Sequence, residues 1–179
     1  MGSKPSARRD EELKWNYKAE SSCLRTWLSR RYRFGGTVYD LEELELAYAP
    51  PYSSARDPLN MAGYVAANCL KGDIEDIYWD QVDQLDRKKV FILDVREPEE
   101  ASAGRIEGSV NITLNELRTR IDEVPRDRGI IVYCKIGPSA YIAYRMLVQK
   151  GFQNVKNLSG GYRLYQAVKK AEEALRQRV

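Results

Sequence analysis

An α/β fold is predicted: a parallel sheet flanked by helices, preceded by a small, mainly helical segment. Two observations predict it. Short, continuous apolar runs such as "VFILDV" (90–95) and "IIVYC" (130–134) recur from residue 73 onward, with helical patterns such as "SAYIAYRMLVQKG" between them. The runs do not alternate with polar residues. That is the habit of strands covered on both faces, and hence of parallel sheets.

Residues 1–35 include "KWNYKAESSCLRTWLSRRYRF", which keeps neither a strand nor a helix period. From Gly36 the signals sharpen. Asp40 is expected to cap a short helix, with Glu43 three residues on as its capping-box partner, ending near Glu45. "APPYSS" reads as a turn or extended segment. Asp57–Pro58 reads as an N-cap followed by proline at the first helical position. That helix should run to about Leu70 and stop before Gly72, with Val65, Ala66, Cys69 and Leu70 on its core face. "EDIYW" is then a short strand and "DQVDQLDR" a short helix. After strand 90–95 come strand "VNIT" (110–113), helix "LNELRTRIDEV", strand 130–134, a helix ended by Gly151, and strand "VKNLS" (155–159). A closing helix from "GGYRLYQ" sets Leu164, Val168, Ala171, Leu175 and Val179 at helical spacing.

Bulk properties narrow the function. The 179 residues suit one domain plus an appendage, with 43% apolar and 31% charged residues. No apolar run reaches the ~18 residues of a spanning helix, and the N-terminus lacks a secretory apolar stretch. Net charge is +3, yet residues 1–35 alone carry nine Lys/Arg against four Asp/Glu, which leaves −2 for the rest. A near-neutral globular part argues against nucleic acid as a partner. Cys23, Cys69 and Cys134 are far apart and form no C-x-x-C, which fits a reducing cytoplasm rather than a disulfide framework. Histidine is absent, so no Cys-His or Ser-His pair and no His-ligated metal exists.

Ligands of parallel sheets bind beyond the carboxyl ends of the strands, and Cys134 sits at such an end. In "CKIGPS", Gly137 permits a bend with positive φ, Pro138 stiffens the loop, and Ser139 is a natural N-cap. Backbone N–H groups of residues 135–140 are then expected to converge on the sulfur. A thiol so placed is expected below its free pKa of about 8.5. Lys135 adds a cation suited to an anionic donor. On spacing alone, a buried strand-end cysteine is an equal reading. Sulfur transfer and phosphate-ester cleavage both suit such a cradle. A C-x5-R phosphatase, however, needs arginine where Ala140 stands, and the next arginine is Arg145, inside the helix.

The segments "ILDVREPEEASAGRIEGSVNITLNEL", "IVYCKIGPSAYIAYRML" and "NVKNLSGGY" together resemble a single-domain rhodanese over roughly 73–170. The resemblance implies a sulfurtransferase that moves sulfane sulfur from thiosulfate or a persulfide to a thiol or cyanide. Cys134 would carry the persulfide, and Lys135, Ile136, Gly137, Pro138, Ser139 and Ala140 would form the substrate cradle. Asp94 and Arg96 match the family's Asp-Val-Arg segment and are expected to support the site as a salt-bridge network. Arg105 stands where many members have histidine, and Ser139 where many have arginine.

"TVYDLEELELAYAPPYSSARDPLNMAGYVA" is similar to the C-terminal end of the coenzyme A-disulfide reductase and NADH oxidase family. That resemblance implies three parts. Residues 1–35 do not resemble the reductase sequence expected before Gly36; they are an unassigned basic segment, expected to be a scrambled or frame-shifted remnant of a longer ancestor or a cloning artefact. Residues 36–72 are a remnant of a reductase dimerisation domain. Residues 73–179 are the rhodanese domain. In the reductase family a tyrosine of this segment lies near the partner subunit's active site, so Tyr48 and Tyr52 are candidates, with ordinary packing the favoured role in this chain. No G-x-G-x-x-G is present and no flavin or other cofactor is expected. Expected partners are small sulfur donors, thiol acceptors including coenzyme A, and a second copy through 36–72, without nucleic acid or membrane. A sulfur carrier without turnover, serving a separate reductase, is the alternative. An inert interaction fragment is disfavoured by the intact "CKIGPS".

Overall fold

The computed structural model describes residues 35–44 and 58–177. The expectations for Cys23, Tyr48, Tyr52, Asp57, Val179 and the segment 1–34 lie outside them. The chain divides into two compact units, Met1–Ala67 and Asn68–Val179. Among the described residues no helix is long and apolar enough to cross a membrane.

In the first unit, α1 (Val38–Glu42) is capped by Thr37, not by Asp40. Thr37 Oγ1 accepts the Asp40 N–H, and the Asp40 carboxylate accepts the Thr37 N–H. The capping box thus begins three residues before the expected one, and Glu43 is the C-cap. Helix α2 (Pro58–Lys71) begins in this unit at the proline, as its first-turn geometry favours, and its residues from Asn68 on are counted with the second unit. Its buried positions are Leu59, Asn60, Gly63 and Ala67. The expected core face is wrong: Val65 and Leu70 are 56% and 64% exposed, and Cys69 is exposed. Small side chains decide this. A Cβ on Gly63 would lie 2.8–2.9 Å from atoms of Leu41 and Glu42, so the glycine admits α1 to contact distance. Asn60 Nδ2 donates to the carbonyls of Leu41 and Glu42 at 3.0 and 3.3 Å, which the end of α1 leaves open, and to that of Leu44 beyond it at 3.0 Å.

The second unit holds β1 (Asp76–Ile77), α3 (Trp79–Val82), β2 (Val90–Asp94), α4 (Pro98–Ser102) and β3 (Ser109–Asn111). A 3₁₀ turn (Ile121–Glu123), β4 (Gly129–Tyr133), α5 (Pro138–Gln149), β5 (Val155–Leu158) and α6 (Gly161–Arg176) complete it. All strands are parallel, in the order β1-β5-β4-β2-β3. The expected fold class is therefore observed. Strand parity sorts the core. Leu93, Ile130, Val132 and Cys134 pack with Ala140, Ala143, Tyr144 and Leu147 of α5. Ile92, Ile131, Tyr133 and Leu158 pack on the other face, with Val82 and the α6 residues Tyr162 and Tyr165.

Two elements differ from expectation. "LNELRTRIDEV" forms successive turns and the 3₁₀ turn rather than an α-helix. The Thr119 hydroxyl donates to the Glu116 carbonyl and Thr113 Oγ1 accepts the Glu116 N–H. Such side-chain bonds compete with the helical ladder. Leu117 and Val124 still reach the core, so the apolar spacing is met without a helix. Helix α4, unsignalled by any apolar period, begins at Pro98 and carries Glu99 and Glu100 in its first turn. The apolar row of α6 is only half-buried at Leu164 and Val168 and exposed at Ala171 and Leu175.

Candidate active site

Cys134 follows the last residue of β4, and its side chain takes the α5 face by strand parity. The residue is 3% exposed. Gly137, at φ 143°, turns the chain and is itself the N-cap of α5, with Pro138 in the first helical position. Ser139 therefore does not cap the helix as expected; it lies one residue inside and lines the cavity. The Gly137 N–H donates to Cys134 Sγ at 3.1 Å, the one main-chain donor on the sulfur among the described residues. The broader convergence expected from residues 135–140 is thus reduced to one bond.

A cavity of about 440 Å³ is lined by Cys134, Lys135, Ile136, Pro138 and Ser139 from the loop. Val95, Arg96, Glu97, Glu100, Leu114 and Asn115 complete it. Ala140 is not part of this lining. It is fully buried in the α5 core, because already in the first turn of the helix its side chain faces the sheet. Gly137 contributes its N–H rather than a wall.

The loop is held from outside by contacts that sequence reading missed. The N–H groups of Tyr162 and Arg163, in the first turn of α6, donate to the carbonyls of Cys134 and Lys135 at 2.8 and 3.0 Å. Helix-terminal donors with no intrahelical partner thus hold the cysteine peptide. Gly161 makes this approach possible. It has φ 60°, and a Cβ there would lie 2.7 Å from the Cys134 carbonyl oxygen and 2.8 Å from Lys135 backbone atoms. The only sequence signal was the glycine pair of "LSGGY".

Asp94 and Arg96 form a buried bidentate pair, with Nη2 2.7 Å from Oδ2 and Nε 2.9 Å from Oδ1. The guanidinium also donates to the carbonyls of Glu100 and Gly104 at 3.2 and 2.8 Å, and stacks 4.2 Å from the Tyr162 ring centroid. Asp94 pairs in register with Tyr133, so parity brings the Tyr133 hydroxyl to Asp94 Oδ2 at 2.9 Å. Burial and the nearby Asp94 carboxylate push that hydroxyl up to about 12. Asn111 Nδ2 donates to the carbonyls of Asp94 and Arg96 at 3.0 and 2.9 Å. The network fixes the β2 end of the cavity, and Arg96 reaches the lining while every nitrogen of its guanidinium is engaged.

Lys135 is not a free cation: its Nζ lies 2.6 Å from Glu100 Oε1. Arg105 is exposed and does not line the cavity. Among the described residues no group of His, Cys, Asp or Glu could hold a metal ion.

A parallel α/β sheet presenting a strand-end cysteine to a cavity defines the class of protein. The family model of the rhodanese-like domain matches residues 80–168. A sulfurtransferase of Allochromatium vinosum is 34% identical over 76 residues, covering 42% of this chain and 71% of that protein. The chain belongs to the rhodanese-like domain family. It is also similar to two larger solved structures. Reduced CoADR-RHD of Bacillus anthracis has 46% identity and a TM-score of 0.74, covering 78% of this chain and 25% of that one. An NAD-dependent persulfide reductase from A. fulgidus has 40% identity and a TM-score of 0.69, covering 80% and 25%. This chain thus spans a quarter of the length of either structure's chain.

Proposed function

We propose that this chain is a sulfurtransferase that carries sulfane sulfur as a Cys134 persulfide. The observation that carries the reading is the Cys134 thiol, which lines the cavity and accepts the Gly137 N–H at 3.1 Å. Membership of the rhodanese-like family and similarity to a sulfurtransferase support it. The Cys134 thiolate attacks the outer sulfur of thiosulfate. A Cys134 S–S bond forms, the donor S–S bond breaks, and sulfite leaves with the electron pair. A thiolate or cyanide then attacks the terminal sulfur, and the Cys134 thiolate leaves. Nucleophile and leaving group are both anions, so neither step needs a proton shuttle. That suits a chain without histidine. Lys135, Ile136, Pro138 and Ser139 shape the donor's site, and Asp94 and Arg96 act through the framework.

Thiocyanate release from thiosulfate and cyanide tests the reading, with thiol and coenzyme A acceptors assayed alongside. Wild type should turn over. Cys134→Ser should lose transfer from every donor, because a hydroxyl without a base supplies no comparable nucleophile. Turnover in that variant would refute the reading.

The likeness to CoADR-RHD and to a persulfide reductase favours a second reading: a carrier that loads one sulfur and hands it to a reductase. In that case Cys134 gains the mass of one sulfur atom while thiocyanate stops after a single turnover. Residues 73–179 are about three fifths of the chain. Matches covering 78% and 80% therefore extend into the preceding residues, which supports kinship of 36–72 with the reductase end. We assign self-association to 36–72, leave 1–35 as a basic segment without a role, and place the protein in the cytoplasm.

A further inference from the structure

We propose that Glu100 sets which sulfur donors reach Cys134, by holding Lys135 in an ion pair across the cavity wall. The inference rests on the sulfurtransferase reading for its donors, but its geometry does not. Four charged residues line the cavity: Arg96, Glu97, Glu100 and Lys135. Arg96 is committed to Asp94 and to two carbonyls. Lys135 Nζ lies 2.6 Å from Glu100 Oε1. Glu97 begins α4 without a side-chain capping bond and has no ion pair among the described residues. Both cations are thus matched, and one carboxylate is in excess.

The pair is imposed by the framework rather than by chance contact of two long side chains. Glu100's carbonyl accepts from buried Arg96 at 3.2 Å, and Lys135's carbonyl accepts the Arg163 N–H at 3.0 Å. Both main-chain anchors are therefore held by bonds that do not involve the side-chain pair. Lys135 and Glu100 are 64% and 36% exposed, so the pair adds little to stability. Its consequence is electrostatic: a compact dianion meets no free cation beside the thiolate. Sulfur carried on an uncharged organic group loses nothing by the same arrangement. The apolar lining of Val95, Leu114, Ile136 and Pro138 suits such a group.

The test measures the alkylation rate of Cys134, peptide-mapped by mass spectrometry, with anionic iodoacetate and neutral iodoacetamide. Glu100→Gln frees Lys135 and should raise the iodoacetate-to-iodoacetamide rate ratio about three- to tenfold at low salt, with the gain shrinking as salt rises. Adding Lys135→Ala to Glu100→Gln should return the ratio to the wild-type value or below. The apparent KM for thiosulfate should fall in Glu100→Gln in parallel. An unchanged ratio in Glu100→Gln overturns the proposal. So does a raised ratio that survives Lys135→Ala, or a Cys134 that neither reagent reaches. Charge-dependent alkylation without sulfur transfer from any donor would sink the sulfurtransferase reading and leave the role of Glu100 standing. Turnover with an unchanged ratio would do the reverse.

Discussion

Cys134 and Cys69 differ in what surrounds the sulfur. Cys69 Sγ lies 3.5 Å from Asp76 Oδ2, and partial burial together with that carboxylate pushes its thiol up to about 11. Cys134 instead accepts a backbone N–H. Limiting iodoacetamide near neutral pH should therefore label Cys134 before Cys69, although Cys69 is the more exposed residue. Preferential labelling of Cys69, read by peptide mapping, would contradict this. Tyr133 gives a second prediction. Its folded pKa is raised above the ordinary tyrosine value near 10, so the neutral form is favoured in the native state. The stability it contributes is complete below about pH 10 and lost as pH rises toward about 12. Tyr133→Phe should flatten that part of the alkaline loss in denaturant titrations. At pH 7 the same change should cost about 1–3 kcal/mol, because Asp94 and the Ile106 N–H lose a buried partner. Arg96→Ala strands the Asp94 carboxylate, which is fully buried. It should destabilise the protein by about 3–5 kcal/mol in the same titration.

Helix α6 acts on the site through its first turn, not its apolar row. Its N–H groups hold the Cys134 and Lys135 carbonyls, and Gly161 leaves the room they need. Gly161→Ala adds a Cβ against backbone in a left-handed conformation. The conformational cost alone is about 1–2 kcal/mol, and relief of the clash must move the loop. The variant should melt earlier and lose sulfur transfer more steeply than a comparable change in stability elsewhere in α6. Equal transfer rates at a lowered melting temperature would show that the contact serves folding alone. The segment 114–124 makes a related point. Leu117 and Val124 keep helical spacing, yet Thr113 and Thr119 bond locally and the backbone turns instead. Periodicity reports which residues face the core, and hydroxyl side chains can satisfy it with another backbone.

At the scale of the molecule, the purified chain should be colourless. No dinucleotide fingerprint occurs in the sequence, and flavin absorption surviving gel filtration would overturn that expectation. The parallel sheet was legible because a strand buried on both faces must be apolar throughout, as 90–95 and 130–134 are. The position of Cys134 was legible for the same local reason: alternation along β4 and the Gly137–Pro138 bend depend on neighbours in the chain. The core face of α2 was not legible, since Gly63 and Ala67 give almost no hydrophobic signal and bury because they are small. Nor were the partners of the site. Lys135 meets a carboxylate 35 residues away, and Cys134 is held by the helix that begins at Gly161. Local pattern sufficed for the sheet, the cysteine and its bend, because steric and solvation preferences act over a few residues. The charge of the cavity and the hold on its loop came only from the folded chain, because α4, β4 and α6 come together through crossovers that no sequence period records.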